Sequence, residues 1–177
     1  MPTPTAPALL RPMREDDAEA VLSIQRQAYP PSHHESWAVL GRKRELWPDG
    51  CWVVQAAGGA RGARGASDAL LGYVFSHPWQ RGRPVPLHGL IDALPEAPDG
   101  FHLHDLALHA DARGQGLAPQ LVAQALAAAR AAGLKQLSLV AVQGSQGFWA
   151  RQGFLPSGSG GLSSYGKDAV SMTRVLA

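Results

Sequence analysis

The stretch from Phe101 to Ala132 limits what this chain can fold into more than any other. It opens with an alternating run, Phe101-His102-Leu103-His104-Asp105-Leu106-Ala107-Leu108, whose period of two suits a β-strand. A short loop, His109 to Ala112, leads to Arg113-Gly114-Gln115-Gly116. Then Leu117, Leu121, Ala125 and Ala129 recur at i+4 spacing, with Val122 and Leu126 beside them, which predicts one apolar face of a helix. Strand, glycine turn and helix together make an anion site. The glycines let backbone approach a ligand, and the first-turn N–H groups carry the positive end of the helix dipole. Arg113 adds a fixed charge suited to phosphate.

The turn is not a P-loop, since GxxxxGK followed by Ser or Thr is absent. It is not the dinucleotide fingerprint either, because Leu117, Ala118 and Pro119 follow the second glycine. The spacing Arg113-x-x-Gly116-x-Ala118 resembles the signature of the GNAT family of N-acetyltransferases. The resemblance implies a turn whose amides hold the pyrophosphate of acetyl-CoA, with Arg113, Gly114, Gln115, Gly116, Leu117 and Ala118 as cofactor-binding residues. It also implies that the pantetheine arm pairs with the strand edge at Leu106, Ala107 and Leu108 through backbone groups. Leu108 N–H would then help polarise the acetyl carbonyl.

The rest of the chain follows the same family order. Residues 1–7 are Pro/Thr-rich and read as a flexible tail; residues 8–177 read as one domain. Ala8 to Met13 suits a first strand, with Pro12 marking an edge. Helices are expected to about Ala28, where Tyr29-Pro30-Pro31 stops the first, and from Ser36 to Leu46. Strands follow at Cys51–Gln55 and Ala69–His77. Between them Ala57–Asp68 (AGGARGARGASD) reads as a flexible connection. Pro78 to Pro98 holds five prolines and reads as a long irregular connection of the kind that often carries function. Beyond the central helix, Gly133 is a C-cap. Gln136–Val142 is a buried strand, Ser145–Gln152 a short helix, and Phe154–Leu155 and Ala169–Leu176 the last strands. The order implies an α/β fold with a mixed sheet, and the resemblance implies that the sheet is mostly antiparallel and flanked by helices.

His102 and His104 share one face of a regular strand, with Asp105 opposite unless the strand bulges. Metal binding by H-x-H lacks a third ligand at useful spacing, so no metal is assigned. A structural pair of half-buried imidazoles is the plain reading. The chemical reading is general-base work, because an amine must lose a proton before it attacks a thioester. The run Phe101 to His109 followed by Arg113-Gly114-Gln115-Gly116 resembles arylalkylamine (serotonin) N-acetyltransferases. That resemblance implies a proton path through His102 and His104. The family tyrosine that protonates the departing thiolate is replaced by Trp149 in Phe148-Trp149-Ala150-Arg151-Gln152-Gly153-Phe154. An indole N–H cannot transfer a proton at neutral pH. Tyr165 is the substitute, with Ser145 and Gln143 as weaker candidates. Tyr29, Glu35, Trp37 and Trp79 are the expected acceptor-binding residues, aromatics and a carboxylate suiting an amine with an apolar body.

The resemblance therefore implies an enzyme that transfers acetyl from acetyl-CoA to a primary amine of a small molecule by direct attack. A protein N-terminal or lysine acetyltransferase and a non-catalytic acyl-CoA sensor are the alternatives. A net charge of +2 without a dense basic stripe argues against nucleic acid. A single cysteine, Cys51, fits a reducing compartment. Neither a signal peptide nor an apolar run long enough to span a membrane is evident, so a cytoplasmic monomer or homodimer is expected.

Overall fold

The computed structural model describes residues 8–57, 69–158 and 162–177. Residues 1–7 and 58–68, expected to be a tail and a flexible connection, lie outside the described residues. The elements run β1 (Ala8–Pro12), α1 (Ala18–Ala28), α2 (Trp37–Leu46), β2 (Cys51–Ala56), β3 (Leu70–Trp79), β4 (Gly100–Leu108), α3 (Leu117–Ala131), β5 (Gln136–Ala141), α4 (Gln146–Arg151), β6 (Leu155–Pro156) and β7 (Val170–Val175). They form one seven-stranded sheet ordered β1-β2-β3-β4-β5-β7-β6, in which β4 and β5 alone pair in parallel. The α/β class, the mostly antiparallel sheet and its flanking helices agree with the sequence reading. Pro12 ends the edge strand β1, where its missing N–H costs no ladder bond.

Alternation along β3 divides the core. Val74 faces a cluster with Leu117, Leu121, Val122, Ala125 and Leu126 of α3. Tyr73 and Phe75 face the other way, onto Val21 and Ile24 of α1 and Leu40 of α2. β4 does not keep one alternation throughout. Phe101 and Leu103 pack beneath α3, yet Ala107 belongs to the cluster beneath α1 and α2. The pairing explains the change: Phe75 opposes Asp105 and Ser76 opposes Leu103, so His104 is an extra residue in the strand. This is a β-bulge, which reverses the side-chain parity beyond it. Asp105 is thereby turned to the same face as His102, the outcome that a regular strand would forbid.

The parallel pair is brief. β4 and β5 are paired at Phe101↔Leu137 and His102↔Ser138, and diverge beyond. The remaining β4 edge, Leu103 to Leu108, faces a cavity between the two strands. Among the described residues no helix is long and apolar enough to cross a membrane.

Candidate active site

The cavity, of about 280 Å³, runs through the gap between β4 and β5. One end is lined by Arg113 and Ala118, by Val142, Gln143 and Ser145 after β5, and by Phe148 and Trp149 of α4. At this end Gly114 and Gly116 have φ of +74° and +73°, and an added Cβ at either would meet nothing within 4 Å. Glycine stands there because the turn needs left-handed backbone, and the space beside it is open to a ligand. Gly116 caps α3, and Arg113 and Ala118 on either side of the turn line the cavity.

The other end is built from four segments. Tyr29, at the end of α1, holds its hydroxyl 2.8 Å from both Asp105 Oδ1 and Leu106 O, and its one proton serves either acceptor. Tyr73 on β3 donates to Asp105 Oδ2 at 2.8 Å. Glu35 follows α1 and is 3% exposed. Its backbone is clasped by the buried Gln25, which donates to Glu35 O and accepts from Glu35 N, both at 2.9 Å. Its carboxylate accepts from the His88 N–H at 2.8 Å and meets His104 Nε2 at 2.6 Å. His88 reaches it from the long connection with φ +65°, a left-handed conformation rare outside glycine. His104 is partly exposed through its backbone, while its ring is fully enclosed.

These contacts drive two neighbouring carboxyls apart. Burial alone would raise Glu35, but His104, Lys43 and the His88 N–H outweigh it and bring it down to about 2. Burial pushes Asp105 up to about 6, even though His104 and the two tyrosine hydroxyls pull the other way. Tyr29 and Tyr73 are held protonated by burial and by the Asp105 charge. One carboxyl is thus a permanent anion. The other is ionised near neutrality and still basic enough to take a proton.

The structure brings together Tyr29, Glu35, His104, Tyr165, Leu106, Ala107, Leu108, Arg113 and Ala118 on this cavity. His102 lines a different space: its Nδ1 sits 3.1 Å from Ser138 Oγ, and its ring borders a second, hydroxyl-rich cavity. Burial pushes His102 well below the ordinary imidazole range. Trp37 packs edge-on to Phe75 and donates to Glu15; Trp79 joins Val85 and Ile91; neither lines the cavity. Tyr165 turns its hydroxyl to Val85 O at 2.5 Å, and burial pushes it up. Trp149 lines the cavity from the core, edge-on to Phe148 and Phe154. Among the described residues no group of three or more His, Cys, Asp or Glu could hold a metal.

Asp105 and Gln25 were not singled out by the sequence reading. A carboxylate inside an otherwise apolar strand was the available signal for Asp105. Nothing local marks Gln25, whose partner is ten residues away.

The loops around the Glu35 end of the cavity are bonded to one another. His33 Nε2 lies 3.1 Å from Tyr165 O, Leu87 N donates to Ser164 Oγ at 3.1 Å, and His88 Nε2 lies 2.9 Å from Ser32 O. With the Tyr165–Val85 bond, these tie the α1–α2 loop, the β3–β4 connection and the β6–β7 loop into one roof.

A model of the acetyltransferase (GNAT) family matches residues 18–154. No curated protein sequence matches the chain. Among solved structures it resembles Ard1 from Thermoplasma volcanium (15% identity, 96% of this chain and 98% of that one, TM-score 0.70). It also resembles the GNAT-like decarboxylase GphF in complex with isobutyryl-CoA (18%, 96% and 100%, TM-score 0.78). A third is the GNAT family N-acetyltransferase YhbS from Escherichia coli in complex with CoA (21%, 100% and 86%, TM-score 0.59).

Proposed function

Because the chain belongs to the acetyltransferase (GNAT) family, we propose that it transfers acetyl from acetyl-CoA to the primary amine of a small molecule. The observation that carries this reading is a single cavity that holds the buried carboxyls of Glu35 and Asp105 at one end and Arg113 and Ala118 of the glycine turn at the other. Two structures of the same fold hold CoA or an acyl-CoA, which supports a CoA thioester as donor. The open turn at Gly114 and Gly116 fits its pyrophosphate, and the β4 edge from Leu106 to Leu108, left unpaired by β5, supplies backbone partners for the pantetheine arm.

Glu35, permanently charged, binds the acceptor as an ammonium. Asp105 takes its proton, and Tyr29 and Tyr73 hold that carboxyl in place. The freed nitrogen attacks the thioester carbonyl; the β4 backbone N–H stabilises the oxyanion as it develops. The C–S bond breaks as the tetrahedral intermediate collapses, and the thiolate of CoA takes the second proton that the nitrogen sheds as the amide forms, with no dedicated side-chain acid. His104 orients Glu35, and Tyr165 closes the roof. Buried Cys51 fits a cytoplasmic setting.

The roof speaks against a polypeptide acceptor, since a peptide would have to part the bond from His33 to Tyr165. The test is release of free CoA thiol from acetyl-CoA across a panel of small amines and of peptides with free N-termini or lysines. Small amines should turn over with an acid limb near pH 6, and peptides should not. Turnover confined to peptides, or none with any amine, would overturn the reading.

A further inference from the structure

Gln25 is buried on α1 with Val21 and Ile24, at 1% exposure. An aliphatic side chain would pack there without partners, whereas a buried amide needs them. Both of its partners belong to one residue. Gln25 Nε2 donates to Glu35 O, and Gln25 Oε1 accepts from the Glu35 N–H, each at 2.9 Å. Glu35 lies in neither helix nor strand, between the short turn Pro31–His33 and the start of α2. A single bond would leave this loop free to swivel. Two bonds, to the N–H and the C=O of the same residue, fix both of its peptide planes and so the direction in which its side chain leaves the backbone.

That direction matters at Glu35, because its carboxylate meets partners on two other segments. One oxygen accepts from the His88 N–H in the β3–β4 connection at 2.8 Å, and the other lies 2.6 Å from His104 Nε2 on β4. Hydrogen bonds weaken steeply once misaligned, so a swivel of the loop would loosen both contacts. Gln25 does not itself line the cavity. We infer that Gln25 is a positioning residue, which by clasping the Glu35 backbone aims the Glu35 carboxylate into the acceptor site. The inference rests on the reading of Glu35 as ammonium anchor. Asp105 is held separately, by Tyr29 and Tyr73, so the clasp governs acceptor binding and not proton removal.

The test is Gln25→Met, unbranched and similar in size but unable to pair, made alone and together with Glu35→Gln. Alone it should raise KM for the amine by ~10-fold, the scale of one charge-assisted contact. It should leave kcat, the acid limb near pH 6 and acetyl-CoA affinity unchanged. In the Glu35→Gln background the same change should move KM by less than about twofold, because the group it acts through is already altered. An unmoved KM in Gln25→Met would overturn the inference. So would an equal rise in both backgrounds, which is what a purely structural amide would give. Should Gln25→Met fail to fold, Gln25→Asn replaces it: its amide stops one methylene short of Glu35, and the same results support or overturn. If the parent acetylates no amine, the proposed function fails, and ¹³C NMR of the Glu35 carboxyl still decides the role of Gln25. At about pH 4, near the ordinary glutamate value of ~4.3, His104 and the His88 N–H keep Glu35 ionised in the parent against the pull of burial. In the variant it should be partly protonated; a carboxyl fully ionised in both would overturn the inference.

Discussion

Replacing Asp105 with Asn should slow the enzyme and stabilise the fold. Raising a carboxyl from 3.8 to about 6 costs the ionised native state roughly 3 kcal/mol. The sign follows from proton counts. Above pH 6 the carboxyl is ionised folded and unfolded, and the native state bears the full penalty. Between pH 6 and 4 the native state binds the extra proton and the penalty fades; below both values it is gone. Asn removes the charge. Its oxygen still accepts from one tyrosine, and Tyr29 retains Leu106 O. One charge-assisted hydrogen bond is lost, which offsets roughly 1–2 kcal/mol of the gain. Asp105→Asn should therefore melt a few degrees higher at pH 7.5, at ~2–4 °C per kcal/mol for a chain of this size. The gap should close by about pH 4. In the CoA-release assay kcat should fall by ~10²–10⁴, with acetyl-CoA affinity unchanged and the acid limb near pH 6 gone. A constant melting gap from pH 4 to 8 would refute the elevated carboxyl. An undiminished kcat would refute its role as base.

Three further outcomes follow from the same geometry. Glu35→Gln should raise KM for the amine by ~10–100-fold and leave the limb near pH 6 in place, as removal of one ion pair costs ~1.5–3 kcal/mol; loss of the limb would give Glu35 the role assigned to Asp105. Tyr165→Phe deletes the bond to Val85 O and should raise KM for the amine several-fold without altering the pH profile, whereas a changed basic limb would restore Tyr165 as the acid. Trp37→Phe, outside the cavity, should leave kcat/KM within about twofold, because it removes only an exposed indole bond to Glu15; a larger loss would return Trp37 to the acceptor site.

The element order was legible because its signals are local. The alternation at 101–108, the 3.6-residue period after Gly116 and the Pro30-Pro31 stop each lie within a few residues of what they determine. The glycine turn was legible for the same reason, since positive φ at Gly114 and Gly116 is written in the residue type. The bulge was not. One extra residue at His104 depends on the register with β3, and that register decides which side of β4 carries Asp105. Trp37 and Trp79 have composition suited to an acceptor pocket, but the sheet face and the small cluster at Val85 and Ile91 claim them. The roof joins positions 77 and 80 residues apart in sequence, from Leu87 to Ser164 and from Val85 to Tyr165. No pattern within either segment announces such contacts. Lys43 reads as one more cation in the run Arg42-Lys43-Arg44, and its burial emerges when α2 packs on β3.

The measurement that bears most directly on the central claim is calorimetric titration of the protein with acetyl-CoA, with Gly116→Glu as control. That variant places a carboxylate and a side chain at φ +73° in the turn proposed for the pyrophosphate. The account predicts saturable binding at one site per chain, lost in Gly116→Glu. Absence of binding to the parent, or equal binding to both proteins, would contradict it.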